Sequence, residues 1–267
     1  FSVTSGSSGD DAVNDGSDTY ASWNWLAGTA FSNDASSTSV GTIDSEGQIN
    51  TKAGFAIIKH TGTGSAGTLA HGLSQAPDTI WLKSRSDGEG WVSFWNTPGM
   101  GPTKFMGFNS TGAAADSDGE WNDTAPTSSL FTIGTQGRVN TNTKDYIAYL
   151  FHNIEGYSKV GSYAGNGNAD GPFIYLGFKP ALLVIRSLAG RPWMVYDSAR
   201  NTSNPLDLKL YWNYNQFENQ SDTISTNIID FLSNGFKLKK KKNRKNNNNK
   251  INRKTKRQVQ YEPNKTT

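Results

Sequence analysis

Cysteine is absent from all 267 positions, so disulfides, thiolate nucleophiles and Cys-based metal sites are excluded. The compartment stays open, because a chain without thiols suits a particle that persists outside cells and many cytosolic proteins lack them too. Histidine is scarce as well. His60, His71 and His152 are the three in the chain, and no two stand at a metal-ligand spacing. Long apolar runs are also missing. Nothing approaches the roughly 18 residues that cross a bilayer as a helix, which reads as no membrane insertion. The opening, FSVTSGSSGD, has neither Met nor a basic-then-apolar leader pattern, as expected of a chain that begins inside a longer protein.

What is there points to strands. Twenty-eight glycines and 12% aromatics, with few helix formers, predict an all-β chain rich in turns. Charge is divided unevenly along it. Residues 237–267 hold 13 of the 26 Lys and Arg and one of the 23 acids, leaving 13 basic against 22 acidic residues in 1–236, a charge of −9. An acidic body is a poor partner for phosphate backbones, so no nucleic-acid partner is expected.

An internal repeat organises the sequence. Gly62, Gly64, Pro77, Lys83 and Ser84 match Gly165, Gly167, Pro180, Arg186 and Ser187 at a constant offset of 103. Each set leads through a short polar loop to an aromatic strand, WVSFWNT from Trp91 and WMVYDS from Trp193. The downstream halves read as SSLFTIGTQGRVN from Ser128 against NIIDFLSNGFKL from Asn227. KDYIAYLFHNIEGYSK then follows in the first copy alone. A partial copy opens the chain, with Phe1 onward aligned to Phe131 onward, so that DTYASWNW stands against KDYIAYLF. Such order conservation is the signature of a repeat architecture.

Within the complete copy, strands are predicted near 54–61, 67–73, 79–85, 91–97, 104–109, 129–134 and 145–154. Gly, Ser, Asn and Asp punctuate them, and no helical period outlasts a turn or two. The expectation is tandem β-sandwich repeats of jelly-roll or concanavalin A-like type. Residues 1–31 would close a preceding repeat, 32–53 form a linker, 54–156 a complete sandwich and 157–238 a truncated one. Residues 239–267 would be a disordered Lys/Asn-rich tail. The tail starts where the repeat demands an aromatic strand, and adenine-rich codons encode its residues, so an out-of-frame origin is expected.

At NDTAPTSS from Asn122, YIAYLF, GSYAGNGNADGPF and IDFLSNGFKL, the chain resembles a repeat family of tailed-phage and marine-virome tail-fibre-like structural proteins. The resemblance covers roughly residues 20–236. It implies lectin-type sandwich modules on a virion appendage, host-surface glycans and other virion tail proteins as partners, and a homotrimer by analogy with tail fibres. It brings no catalytic residues and no cofactor.

Trp91 and Trp193 sit at equivalent repeat positions among alternating apolar residues and are expected in cores. Trp121, Tyr211, Trp212 and Tyr214 lie among Asn, Asp and Gln instead, the company of rings that stack on sugars. They are the candidate carbohydrate contacts. Asp116, Asp118 and Glu120 alternate in AAADSDGEWND, a candidate set of hard oxygen ligands for Ca²⁺, with a solvated acidic turn as the competing account. GTGSAG and GNGNADG contain Gly-x-Gly, but no helix follows to supply a phosphate cradle. The expected function is a structural and adhesive module. A purely architectural spacer and a polysaccharide-degrading enzyme with two carboxylates stand as alternatives, and no acid recurs at matching repeat positions to support the enzyme.

Overall fold

The computed structural model describes residues 20–214, 218 and 227–240. The first ten strands are β1 (Thr29–Asn33), β2 (Ser45–Asn50), β3 (Phe55–Thr61), β4 (Gly67–Ala70), β5 (Thr79–Ser84), β6 (Val92–Trp95), β7 (Lys104–Gly107), β8 (Ala115–Asp116), β9 (Leu130–Ile133) and β10 (Asp145–Phe151). Six more follow: β11 (Asp170–Tyr175), β12 (Leu182–Ile185), β13 (Met194–Asp197), β14 (Leu210–Tyr211), β15 (Asn227–Leu232) and β16 (Gly235–Lys240). Among the described residues, helix is confined to three single turns, α1 (Ala35–Thr38), α2 (Asp118–Trp121) and α3 (Gly137–Asn140). The protein is all-β, as expected.

An eight-stranded sheet in the order β1-β2-β3-β10-β5-β6-β7-β8 dominates the first half. β10 is its centre because DYIAYLF is apolar on both faces. Tyr146, Ala148 and Leu150 are buried, and Ile147, Tyr149 and Phe151 half-buried on the other side. The strand that arrives last in sequence is inserted between β3 and β5. The two-stranded β4–β9 sheet lies over one face, and Ile58, Leu69, Ile80, Leu82, Phe94, Phe131, Ile133 and Tyr146 form the core between them. Two three-stranded sheets, β11-β16-β15 and β12-β13-β14, enclose a second core around Tyr196, Leu206, Ile229, Phe231 and Phe236.

Three expectations need correction. The segment 32–53, taken as a linker, carries β2, which pairs with β3 from Glu46↔Lys59 to Asn50↔Phe55 and extends the main sheet. Its SEGQIN pattern lacks the apolar alternation of a strand because its position near the sheet edge leaves most of it exposed or half-buried. The counterpart of β9 by pairing is β16 and not β15: β4 pairs with β9 and β11 with β16, and Phe131 and Phe236 are both buried. Residues 239 and 240 belong to the sheet, for Lys239 ion-pairs with Asp230 and the Lys240 amide donates to Ala169 O at 3.0 Å. Residues 241–267 of the expected tail lie outside the described residues.

The Pro77 and Pro180 stretches both lead into a strand paired antiparallel with the following aromatic one, β5 with β6 and β12 with β13. Gly64 and Gly167, at the 103-residue offset, have φ of 75° and 70°, a left-handed conformation that an L side chain would strain. β12 differs from β5 in burial. All four of its residues are half-buried, whereas four of the six in β5 are buried, because β5 has β10 on its outer edge and β12 is paired only with β13 among the described residues.

Candidate functional site

Strand alternation sends every second side chain of β5 and β6 away from the first core. Trp81 and Trp95 therefore emerge on the far face of the main sheet, where Trp91, Met100, Met106 and Phe108 join them. Trp193, Trp212, Val184 and Leu188 of the second half complete that cluster. Phe108 stacks on Trp193 at 4.6 Å and 9°, and Trp95 stacks on Trp193 at 5.3 Å and 27°. Trp81 meets Trp212 edge-on at 5.6 Å. The aromatic layer is the joint between the two halves.

Polar groups close the joint's margins. The Trp81 indole N–H donates to Thr79 Oγ1 at 3.0 Å and that of Trp95 to Ser93 Oγ at 2.9 Å. Arg186, the counterpart of Lys83 in the repeat, reaches across. Its Nη1 donates to Gly107 O at 2.5 Å, Nη2 donates to Gly112 O, and the guanidinium lies 5.0 Å over the Trp193 ring. Asn213 accepts from the Trp193 amide at 2.8 Å and donates to Ser110 O at 2.7 Å. Aromatic pairs contribute about 0.5–1.5 kcal/mol each beyond their buried area, and a partly desolvated cation–π contact adds about 1 kcal/mol.

The candidate sugar-binding rings do not converge. Trp121 is 1% exposed and packs in the first core, 5.8 Å from Phe94. Ser117 caps α2 by accepting from the Gly119 amide at 3.2 Å, and the helical turn that follows points Trp121 inward. The polar neighbours that made it look like a surface ring belong to that turn, so the carbohydrate role is withdrawn. Trp212 serves the joint. Tyr214 remains at the surface, 52% exposed and edge-to-face at 6.0 Å with the half-buried Tyr211, over which the buried Lys209 places its Nζ at 5.3 Å.

The proposed Ca²⁺ ligands separate for the same reason. Asp116 and Asp118 are exposed, while α2 turns Glu120 into the interior, where Oε1 pairs with Arg138 Nε at 3.2 Å. No group of three or more potential metal ligands exists among the described residues, and the metal assignment is withdrawn. Arg138 also covers Phe105, 4.7 Å from the ring centroid. Removing it by Arg138→Ala leaves a buried carboxylate without a cation, which costs about 3 kcal/mol. A chemical denaturation midpoint equal to wild type would contradict this.

Sequence reading missed the Glu120–Arg138 pair, since a carboxylate in an acidic loop looks solvated. It also missed Asn140, buried and bound to Ser65 O at 2.7 Å, Gly134 O at 2.9 Å and the Thr63 amide at 2.8 Å. Nothing in GRVN marks that residue as a three-way clamp.

Fold and joint define an all-β, sandwich-like protein whose largest aromatic cluster is structural. Residues 1–251 match the family described as a domain of unknown function, DUF7483, and the chain belongs to that family. Comparisons with curated proteins and with solved structures gave no match.

Proposed function

We propose that this chain is a structural module of a phage tail fibre or comparable virion appendage, working beside other tail proteins as a stiff link. The aromatic joint carries the proposal. Trp81, Trp95, Trp193 and Trp212, with Phe108 between them, are committed to holding the two halves together, which is the use a load-transmitting spacer has for its largest side chains. Mass spectrometry of purified virions encoding this sequence should find it in the appendage fraction. Recovery from infected-cell lysate but never from particles would overturn the reading.

An adhesive role is favoured by one observation, the exposed ring of Tyr214 set edge-on against the half-buried Tyr211. A ring exposed as that of Tyr214 is can stack on a sugar face. On a microbial glycan array, the wild-type chain should bind and Tyr214→Ala should lose at least about tenfold, the loss of one ring contact worth about 1.4 kcal/mol. Equal binding by both proteins removes Tyr214 from the adhesive surface, and binding by neither removes adhesion and leaves the spacer.

A further inference from the structure

We infer that the second half holds a peptide-binding cavity. Its ligand is a chain turn with an apolar residue followed by asparagine, supplied by a partner protein as α3 supplies Val139 and Asn140 within the first half. The cavity and its ligand do not depend on the module reading. The space measures about 200 Å³ and lies between the two small sheets, with Ile185 and Met194 on one, Ile229 and Leu238 on the other, and the loop 165–168 along one side.

The first half shows what such a space holds. Leu82 stands 103 residues before Ile185, and Ile133 lies two residues beyond Phe131 as Leu238 does beyond Phe236. Both share their core with Val139, which is fully buried. The loop 62–65 binds the residues that follow. The Asn140 carboxamide accepts from the Thr63 amide at 2.8 Å and donates to Ser65 O at 2.7 Å. The Gly64 amide donates to Asn140 O at 2.9 Å and the Gly62 amide to Lys144 O at 2.7 Å. There is no room to spare, for a Cβ on Gly62 would come within 2.2 Å of Thr141 O.

The corresponding loop of the second half is bare. Gly165, Asn166, Gly167 and Asn168 stand 103 residues beyond Gly62, Thr63, Gly64 and Ser65, and Gly167 repeats the left-handed φ of Gly64. Yet the amides of Gly165, Asn166 and Gly167 have no hydrogen-bond partner among the described residues. Gly165 is exposed where Gly62 is buried, and a Cβ on it would meet nothing within 4 Å. Open donors beside an apolar cavity are what a turn like that of residues 139–144 satisfies, its apolar side chain entering the cavity and its amide groups meeting the loop.

The chain's own sequence does not repeat that turn. Val139 and Asn140 fall six and seven residues after Ile133, and at the same distances from Leu238 stand Arg244 and Lys245. Neither is apolar and neither carries a carboxamide, so the turn that fits comes from another chain.

The probe is the peptide of residues 136–144, capped at both ends and added to the isotope-labelled full-length chain. The amide resonances of Gly165, Asn166 and Gly167 should shift in a saturable way. The same peptide carrying Asn140→Ala should bind at least about tenfold more weakly, since two hydrogen bonds are lost. Gly165→Ala in the protein should weaken binding of the unaltered peptide at least about tenfold, because its methyl takes the place that the turn's backbone needs, and should leave the denaturation midpoint as in wild type. No saturable shift, equal affinity for the two peptides, unchanged binding by Gly165→Ala, or shifts at residues 62–65 in place of 165–168 would each overturn the proposal.

Discussion

Trp193→Ala should lower the stability of the second half by about 3–5 kcal/mol, the usual cost of emptying a buried large aromatic site. The side chain is 2% exposed and stacks on both Phe108 and Trp95, with Arg186 over its ring. Its loss opens a cavity at the joint and leaves Arg186 with a hydrogen-bonded role only. The damage should be polarised. Sixteen buried apolar residues form the first core and five form the second among the described residues, so the second half has the smaller reserve. Limited proteolysis of the variant should release a protected fragment spanning residues 29–151 while the region beyond 170 is degraded. Equal resistance of both halves in the variant would show that the joint carries little of the load.

Acid should destabilise the protein through its buried histidines. Desolvation holds the His60 imidazole down to about 4 from an ordinary 6.5, against the raising effect of its hydrogen bond to Val139 O. The ring is neutral, with Nε2–H donating to that carbonyl at 3.1 Å and the face stacked on Tyr146 at 5.0 Å. His71 is shifted the same way by burial, with Nδ1 accepting from the Leu73 amide and Nε2–H donating to Thr127 O. A folded-state pKa below the unfolded one means that the unfolded chain binds more protons, so stability is fully present above pH 6.5. It declines as pH falls toward 4, by about 3 kcal/mol for His60 alone. His60→Gln keeps a donor for Val139 O and removes the charge. Denaturant midpoints measured from pH 7 to 4 should fall steeply in wild type and less in the variant. Parallel curves would contradict the assignment.

Much of the first half was legible because its strands alternate strongly. Phe55–Thr61, Thr79–Ser84 and Asp145–Phe151 all fall within the predicted spans, since burial on one or both faces leaves a period-two trace in sequence. β2 was not legible. SEGQIN is held by its ladder to β3 and by its neighbours, and pairing of that kind leaves no hydrophobic pattern. The candidate site fared less well for a related reason. Single-turn helices carry no period, so the inward direction of Glu120 and Trp121 was set by the Ser117 cap and could not be read from neighbouring residue types. The joint itself was half legible: Trp193 was expected in a core, but that the core lies between two halves depends on tertiary packing that no local pattern encodes.

The central claim is that the aromatic layer makes the two halves one stiff body. Spin labels at Lys52→Cys and Ala199→Cys, exposed positions in the two halves, can be placed cleanly because no native thiol competes. Double electron–electron resonance on this variant should give a single narrow distance distribution that broadens when Trp193→Ala is added. A broad distribution with Trp193 intact would contradict the claim.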